Sequence, residues 1–170
     1  AAGFTYDEAA GKFTDVEDTY EVMIPGQGQQ DHPAYGVVVA ASEVLEGLGI
    51  KLQVNDVGTS VWNNALESNT AMMWAAAWQS TVDPDMTQVY HSDNAHGNGT
   101  NSNHYQVDDE ALDELIVEGR SSADTEYRKS VYKDAMNIIM DWGCELPLYQ
   151  RKDCTTVSTE RIVKIGRAHV

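Results

Sequence analysis

The sequence predicts an α/β fold, a parallel-type sheet with helices on both faces. Three observations predict it. The run Ala71 to Trp78 is apolar and uncharged, as a strand covered on both faces reads. Two further strands precede it, Glu21 to Pro25 and Ile50 to Asp56. Apolar residues at helical spacing separate the three. Strand, helix, strand, helix, strand, helix means parallel strands joined by right-handed crossovers.

The elements follow in order. Residues 1–19 are polar and acidic with scattered aromatics, and read as a helix end and a loop. Glu21 to Pro25 is a short strand entered from Tyr20. Gly26 to Asp31 is a loop, and His32-Pro33 opens a helix, because proline suits a first turn. Val37, Ala41, Val44, Leu45 and Leu48 form its apolar stripe, and Gly49 ends it as a left-handed cap. Ile50, Leu52 and Val54 alternate with Lys51, Gln53 and Asn55, which is strand spacing. Ser60 caps a short helix, Val61 to Glu67. After the Ala71–Trp78 strand, Asp83-Pro84-Asp85 supplies a cap, a first-position proline and an acid in the first turn of a helix.

Ser92 to Gln106 is rich in Asn and Gly and reads as a solvated loop. Asp108 begins a helix with Leu112, Leu115 and Ile116 on one side, ending over Gly119 to Ser122. Asp124 caps the longest helix, whose stripe is Tyr127, Val131, Ala135, Ile138, Ile139 and Trp142; Gly143 breaks it. Leu146 to Tyr149 reads as a strand at an edge or a strand start, given Pro147. Thr155 to Ser158 reads as one more short strand.

Composition narrows the function. The chain has 170 residues, 42% hydrophobic, enough for one domain with a core. Its net charge of -16 argues against nucleic acid and anionic membranes as partners. No apolar run approaches the roughly 20 residues of a membrane helix. Cys144 and Cys154 lack a metal spacing and read as two small core residues. The chain opens at Ala1 without an initiating Met or a signal peptide, so it reads as a piece of something longer. Residues 164–170, KIGRAHV, resemble a translated sequencing adapter and are expected to be a non-native tail, His169 included.

Several constellations bear on chemistry. Gly26-x-Gly28 lies between a strand and a helix, and Asp56 ends the next strand, where a ribose-binding acid sits in a dinucleotide fold. The third position of that pattern is Asp31, which opposes a pyrophosphate with like charge. His91, His96 and His104 with Asp93 have the residue types of a metal site but no standard spacing. Asp83 and Asp85 form an acid pair that helix capping already explains. No nucleophile with an evident base appears. Nothing in the sequence calls for catalysis, a metal or a cofactor. Trp78 ends the apolar run at the loop where open α/β sheets place ligands. It reads equally as a core ring and as a ring covering the apolar part of a ligand; Trp74 reads as core.

These pieces together resemble one family. Ala75 to Asp85, Leu48-Gly49-Ile50-Lys51-Leu52, the helix from Tyr127-Arg128-Lys129 to Trp142, and Leu146-Pro147-Leu148-Tyr149 fall in the order seen in peptide/nickel-type solute-binding proteins of ABC transporters, extracellular solute-binding family 5. The resemblance spans nearly everything from Tyr20 to Arg161 and rests on order and spacing. It implies two lobes closing on a ligand, of which this chain is the second, a periplasmic-binding-protein-like lobe II that is incomplete. Residues 1–19 are then a partial lead-in and 20–163 the lobe.

The resemblance also implies a non-enzyme that captures a small-molecule or peptide ligand. It would work outside the cytoplasm, deliver to a membrane permease, and touch the membrane only through a lipid anchor on the missing N-terminal part. It places the ligand against Trp78, Gln79, Ser80, Thr81 and His32. Two departures stand out. Peptide binders hold the ligand's amino group with an Asp two or three residues after the Trp, where this chain has Gln79-Ser80-Thr81. Some carry an Arg just before the Trp, where this chain has Ala75-Ala76-Ala77. A rival from another class is a Rossmann-like enzyme domain using Gly26, Gly28 and Asp56.

Overall fold

A computed structural model describes residues 3–78, 83–150, 152, 156–158 and 160–161. The α/β reading holds. A hairpin opens it, β1 (Tyr6–Asp7) and β2 (Lys12–Phe13), where the sequence had suggested a helix end. The Tyr6 and Phe13 rings meet edge to face at 5.2 Å and hold the two short strands together. Then come β3 (Thr19–Ile24), α1 (Tyr35–Gly47), β4 (Lys51–Asp56), α2 (Thr59–Glu67) and β5 (Met73–Trp74). The three strands form a parallel sheet in the order β4-β3-β5. The chain moves one way through α1 and back across β3 through α2. Right-handed crossovers therefore put the two helices on opposite faces.

The β3–β4 register pairs Val22 with Val54 and Ile24 with Asp56. Period two then places Val22, Ile24, Val54 and Asp56 on one face. Ile24 packs there with Ala34, Ala75, Tyr35, Val38 and Val54. Helix α1 meets the sheet through Tyr35 and Val38, so the stripe expected to be buried is rotated. Val37 is 44% exposed and Val44 64%. Gly49 behaves as expected: at φ 81° it donates to Glu46 O, and Ile50 N–H returns to Leu45 O.

β5 is two residues long, not the eight expected. Its partner β3 runs into Pro25, which has no N–H, so the ladder stops after Ala75 N–H reaches Met23 O. Nor is the run covered on both faces: Met72 is 59% exposed and Trp78 52%.

Beyond the sheet lie α3 (Thr87–Tyr90), α4 (Glu110–Ser121) and α5 (Thr125–Trp142). Asp83 does not cap α3. That helix begins at Thr87, three residues after the expected Pro84 start, and the Asp85 carboxylate accepts from the Thr87 N–H and hydroxyl. Asp83 instead meets the Arg128 guanidinium at 2.6 Å. Asp109 caps α4 and Asp124 caps α5, each accepting from two backbone N–H groups. Helices α4 and α5 build a second core of Val107, Leu112, Ile116, Ala135 and Ile139. Helix α4 ends within Gly119–Ser122 as expected, at Ser121, with Gly119 still helical. That glycine is buried inside the helix, where a Cβ would lie 2.5 Å from the Tyr132 ring. Gly143 ends α5 at φ 61°, as expected.

The Ser92–Gln106 segment is built rather than merely solvated. Asn103 is fully buried, donating to Tyr90, His91 and Val107 carbonyls and accepting from Val107 N–H. Asn94 does the same between Thr87 and Thr100. Leu146 to Tyr149 forms no strand and is exposed, contrary to expectation. Residues 156–158 form none either, while Cys154, Thr155 and residues 162–170 lie outside the described residues. Among the described residues, no helix is long and apolar enough to cross a membrane.

Candidate functional site

The carboxyl ends of parallel strands are where an open α/β sheet has room for a ligand, because the crossovers leave a crevice there. Here that end is formed by the Pro25–Pro33 loop after β3, Val57-Gly58 after β4, and Ala75–Trp78 after β5.

The first loop is folded onto its neighbour. Gln27 N–H donates to Val57 O at 3.0 Å, and its side chain donates to the Thr59 hydroxyl. Gln27, Gly28 and Gln30 all have left-handed backbone, at φ 60°, 68° and 59°, which non-glycine residues seldom adopt. The turn brings Gln30 N–H to Asp56 Oδ2 at 2.7 Å. Asp56 Oδ1 is buried against Gly26 and has no hydrogen-bond partner. Thus the acid that matched a ribose position is held by its own loop. His32 accepts the Ala34 N–H on Nδ1 at 3.2 Å, which orients its half-buried ring beside the start of α1.

The second part is aromatic. Tyr105 is stacked between Trp74, at 5.5 Å and 23°, and Tyr90, at 5.6 Å and 11°. His104 meets Trp74 edge-on. Both phenols donate to Glu145 Oε2. Burial and the Glu145 carboxylate push both tyrosines well above the usual phenol range; the Trp78 side chain, which lies near the Tyr105 phenol, pulls Tyr105 back slightly. Burial lowers the pKa of the His104 imidazole, whose Nδ1 lacks a partner.

Of the residues singled out from sequence, Trp78 and His32 stand at the carboxyl end of the sheet. Gln79, Ser80 and Thr81 lie outside the described residues. Trp74 is half-buried and serves as the base of the ring stack. The histidines do not converge. His91 Nδ1 faces Asp113 at 3.5 Å, and His96 faces Asp108 at 3.9 Å. Among the described residues no group of three His, Cys, Asp or Glu side chains is placed to hold a metal. Sequence reasoning missed Tyr90, Tyr105 and Glu145. They are 40 and 55 residues apart along the chain, and no local pattern connects them.

No family model and no curated relative matches the chain. Solved structures do. One is the oligopeptide-binding protein AppA from Bacillus subtilis, in complex with a nonapeptide. It matches at a TM-score of 0.66 and 16% identity, over 84% of this chain and 28% of that one. NikZ from Campylobacter jejuni, in complex with Ni(L-His), matches at 0.65 and 17%, over 84% and 28%. The periplasmic binding protein DppA from Helicobacter pylori, in complex with the peptide STSA, matches at 0.60 and 17%, over 74% and 24%. The chain spans about a quarter of the length of these proteins. Over that part of their length, it has the fold of the peptide- and nickel-type ABC solute-binding proteins.

Proposed function

We propose that residues 20–163 are part of the second lobe of an extracytoplasmic solute receptor that captures short peptides and hands them to an ABC permease. Residues 1–19 are the lead-in from the rest of the receptor, and 164–170 a non-native tail. The observation that supports this best is the fold shared with proteins solved with bound peptides, over 84% of this chain for AppA and 74% for DppA. The role is binding rather than catalysis, and a lipid anchor elsewhere in the protein would tether it.

In this reading two lobes close about a hinge. Trp78, 52% exposed, lays its ring on apolar parts of the ligand. Gln79, Ser80 and Thr81 supply neutral hydrogen-bonding groups. His32, with Nδ1 already engaged, offers its other nitrogen. A ligand enclosed by two lobes loses half its contacts when one is missing, and its polar groups stay in water.

Titration calorimetry against a mixed short-peptide library tests this. The chain alone is expected to give no heat, and a longer chain with the first lobe restored is expected to bind. Trp78→Ala in the longer chain is expected to weaken binding. Tight binding by the chain alone would overturn the two-lobe reading. No observation favours the nucleotide-binding alternative, since Asp56 is held by its own loop through Gln30 N–H and lies against Gly26.

A further inference from the structure

Past Met73-Trp74 the ligand-side segment has little backbone support. Among the described residues, only Ala75 N–H, on Met23 O, extends the ladder. The direction of Ala75–Trp78 therefore depends on what holds the side chains at its two ends. At one end Trp74 lies flat on Tyr105. At the other, Trp78 lies near the hydroxyl of the same tyrosine. Tyr105 in turn stacks on Tyr90, and one oxygen of Glu145 accepts from both phenols. Hydrogen bonds to a carboxylate are shorter and stronger than neutral ones. Two of them on one oxygen fix the two rings relative to each other. Glu145 itself is set just beyond the left-handed Gly143 that ends α5.

We propose that Glu145 is a positioning residue for Trp74–Trp78, locking through the Tyr90 and Tyr105 hydroxyls the ring stack on which that segment rests. The description of the segment as ligand-side rests on the receptor reading above; the positioning does not. The consequence for specificity is direct. A tryptophan held at a fixed angle selects ligands by shape, whereas a free one accepts many.

The test uses the indole N–H signals of the 15N-labelled chain, assigned by Trp→Phe changes at Trp62, Trp74, Trp78 and Trp142. Glu145→Ala is expected to shift the Trp74 and Trp78 signals and speed their hydrogen exchange, with Trp62 on α2 unmoved. Glu145→Gln keeps a carbonyl that accepts both phenols and is expected to restore them. Tyr105→Phe keeps the stacked ring but removes the hydroxyl, and is expected to reproduce the Glu145→Ala effect at Trp78. That variant decides the matter even if Glu145→Ala fails to fold. Unchanged Trp74 and Trp78 signals in Tyr105→Phe, or equal effects of Ala and Gln at 145, would overturn the proposal. No ligand enters this measurement, so a failed peptide titration refutes the receptor reading and leaves this result standing.

Discussion

Gly26 lies against Asp56: a Cβ at position 26 would sit 2.5 Å from Asp56 Oδ1 and 3.0 Å from its Cγ. The contact joins the ends of β3 and β4, and the same carboxylate takes Gln30 N–H on its other oxygen. Gly26→Ala must therefore displace the acid that anchors the loop. We expect it to destabilise the chain by about 1–3 kcal/mol, the range for an inserted methyl in a packed site. The check is a double-mutant cycle in urea. Combining Gly26→Ala with Asp56→Ala should cost less than the sum of the two, because the shorter side chain removes the clash. Strict additivity would show that the two residues are not coupled.

Gly119 sets a contest between two effects. Alanine is favoured over glycine inside a helix by about 1 kcal/mol. Yet a Cβ here would meet the Tyr132 ring at 2.5 Å, and overpacking costs roughly 1–3 kcal/mol. Tyr132 is 7% exposed, with the Arg128 guanidinium 5.5 Å from its ring centre, so it has little room to retreat. Gly119→Ala is expected to lower the melting temperature. A rise would mean that the ring moves aside freely.

Asp124 accepts from Glu126 N–H at 2.9 Å and Tyr127 N–H at 3.1 Å. Asp124→Ala leaves those donors without a protein partner and is expected to cost about 0.5–2 kcal/mol, with Asn restoring most of it. Asp83→Ala is expected to cost less. Its contact with Arg128 is a partly exposed ion pair rather than a helix cap. Urea midpoints of the three variants decide the order.

Tyr90 and Tyr105 have pKa values raised above the ordinary value near 10.0, by burial first and then by Glu145. The folded state thus binds both phenolic protons more tightly than the unfolded chain does. The associated stability is intact below about pH 10 and is lost as pH climbs from there through the folded-state values. Ultraviolet absorbance of phenolate should show Tyr90 and Tyr105 ionising late and together with unfolding, beside Tyr127, which its hydrogen bond to Glu118 also raises. Glu145→Ala removes one cause of the shift at Tyr90 and Tyr105, so they should ionise earlier. Ordinary titration of all eight tyrosines would refute this.

What the sequence by itself determined was local. Gly49 read as a left-handed cap, Gly143 as a helix stop, Asp124 as a helix start, and Ile50–Asp56 as a strand, because each signal is contained within a few residues of backbone geometry. The order of those elements was enough to name the fold class and the end of the sheet where a ligand belongs. The tertiary structure decided how far each element extends and which side it buries. Ala71–Trp78 is as apolar as a long buried strand, but a strand lasts only as long as its partner, and β3 stops at Pro25. Asp83 has every local mark of a cap and is claimed by Arg128, 45 residues away. Asn94 and Asn103 look like loop residues and are the buried pegs of theirs, because three carbonyls converge on one amide only once the chain has folded back. Glu145 is a charge after a helix in the sequence. It becomes a brace because α5 delivers it to two tyrosines that no local pattern could have paired with it.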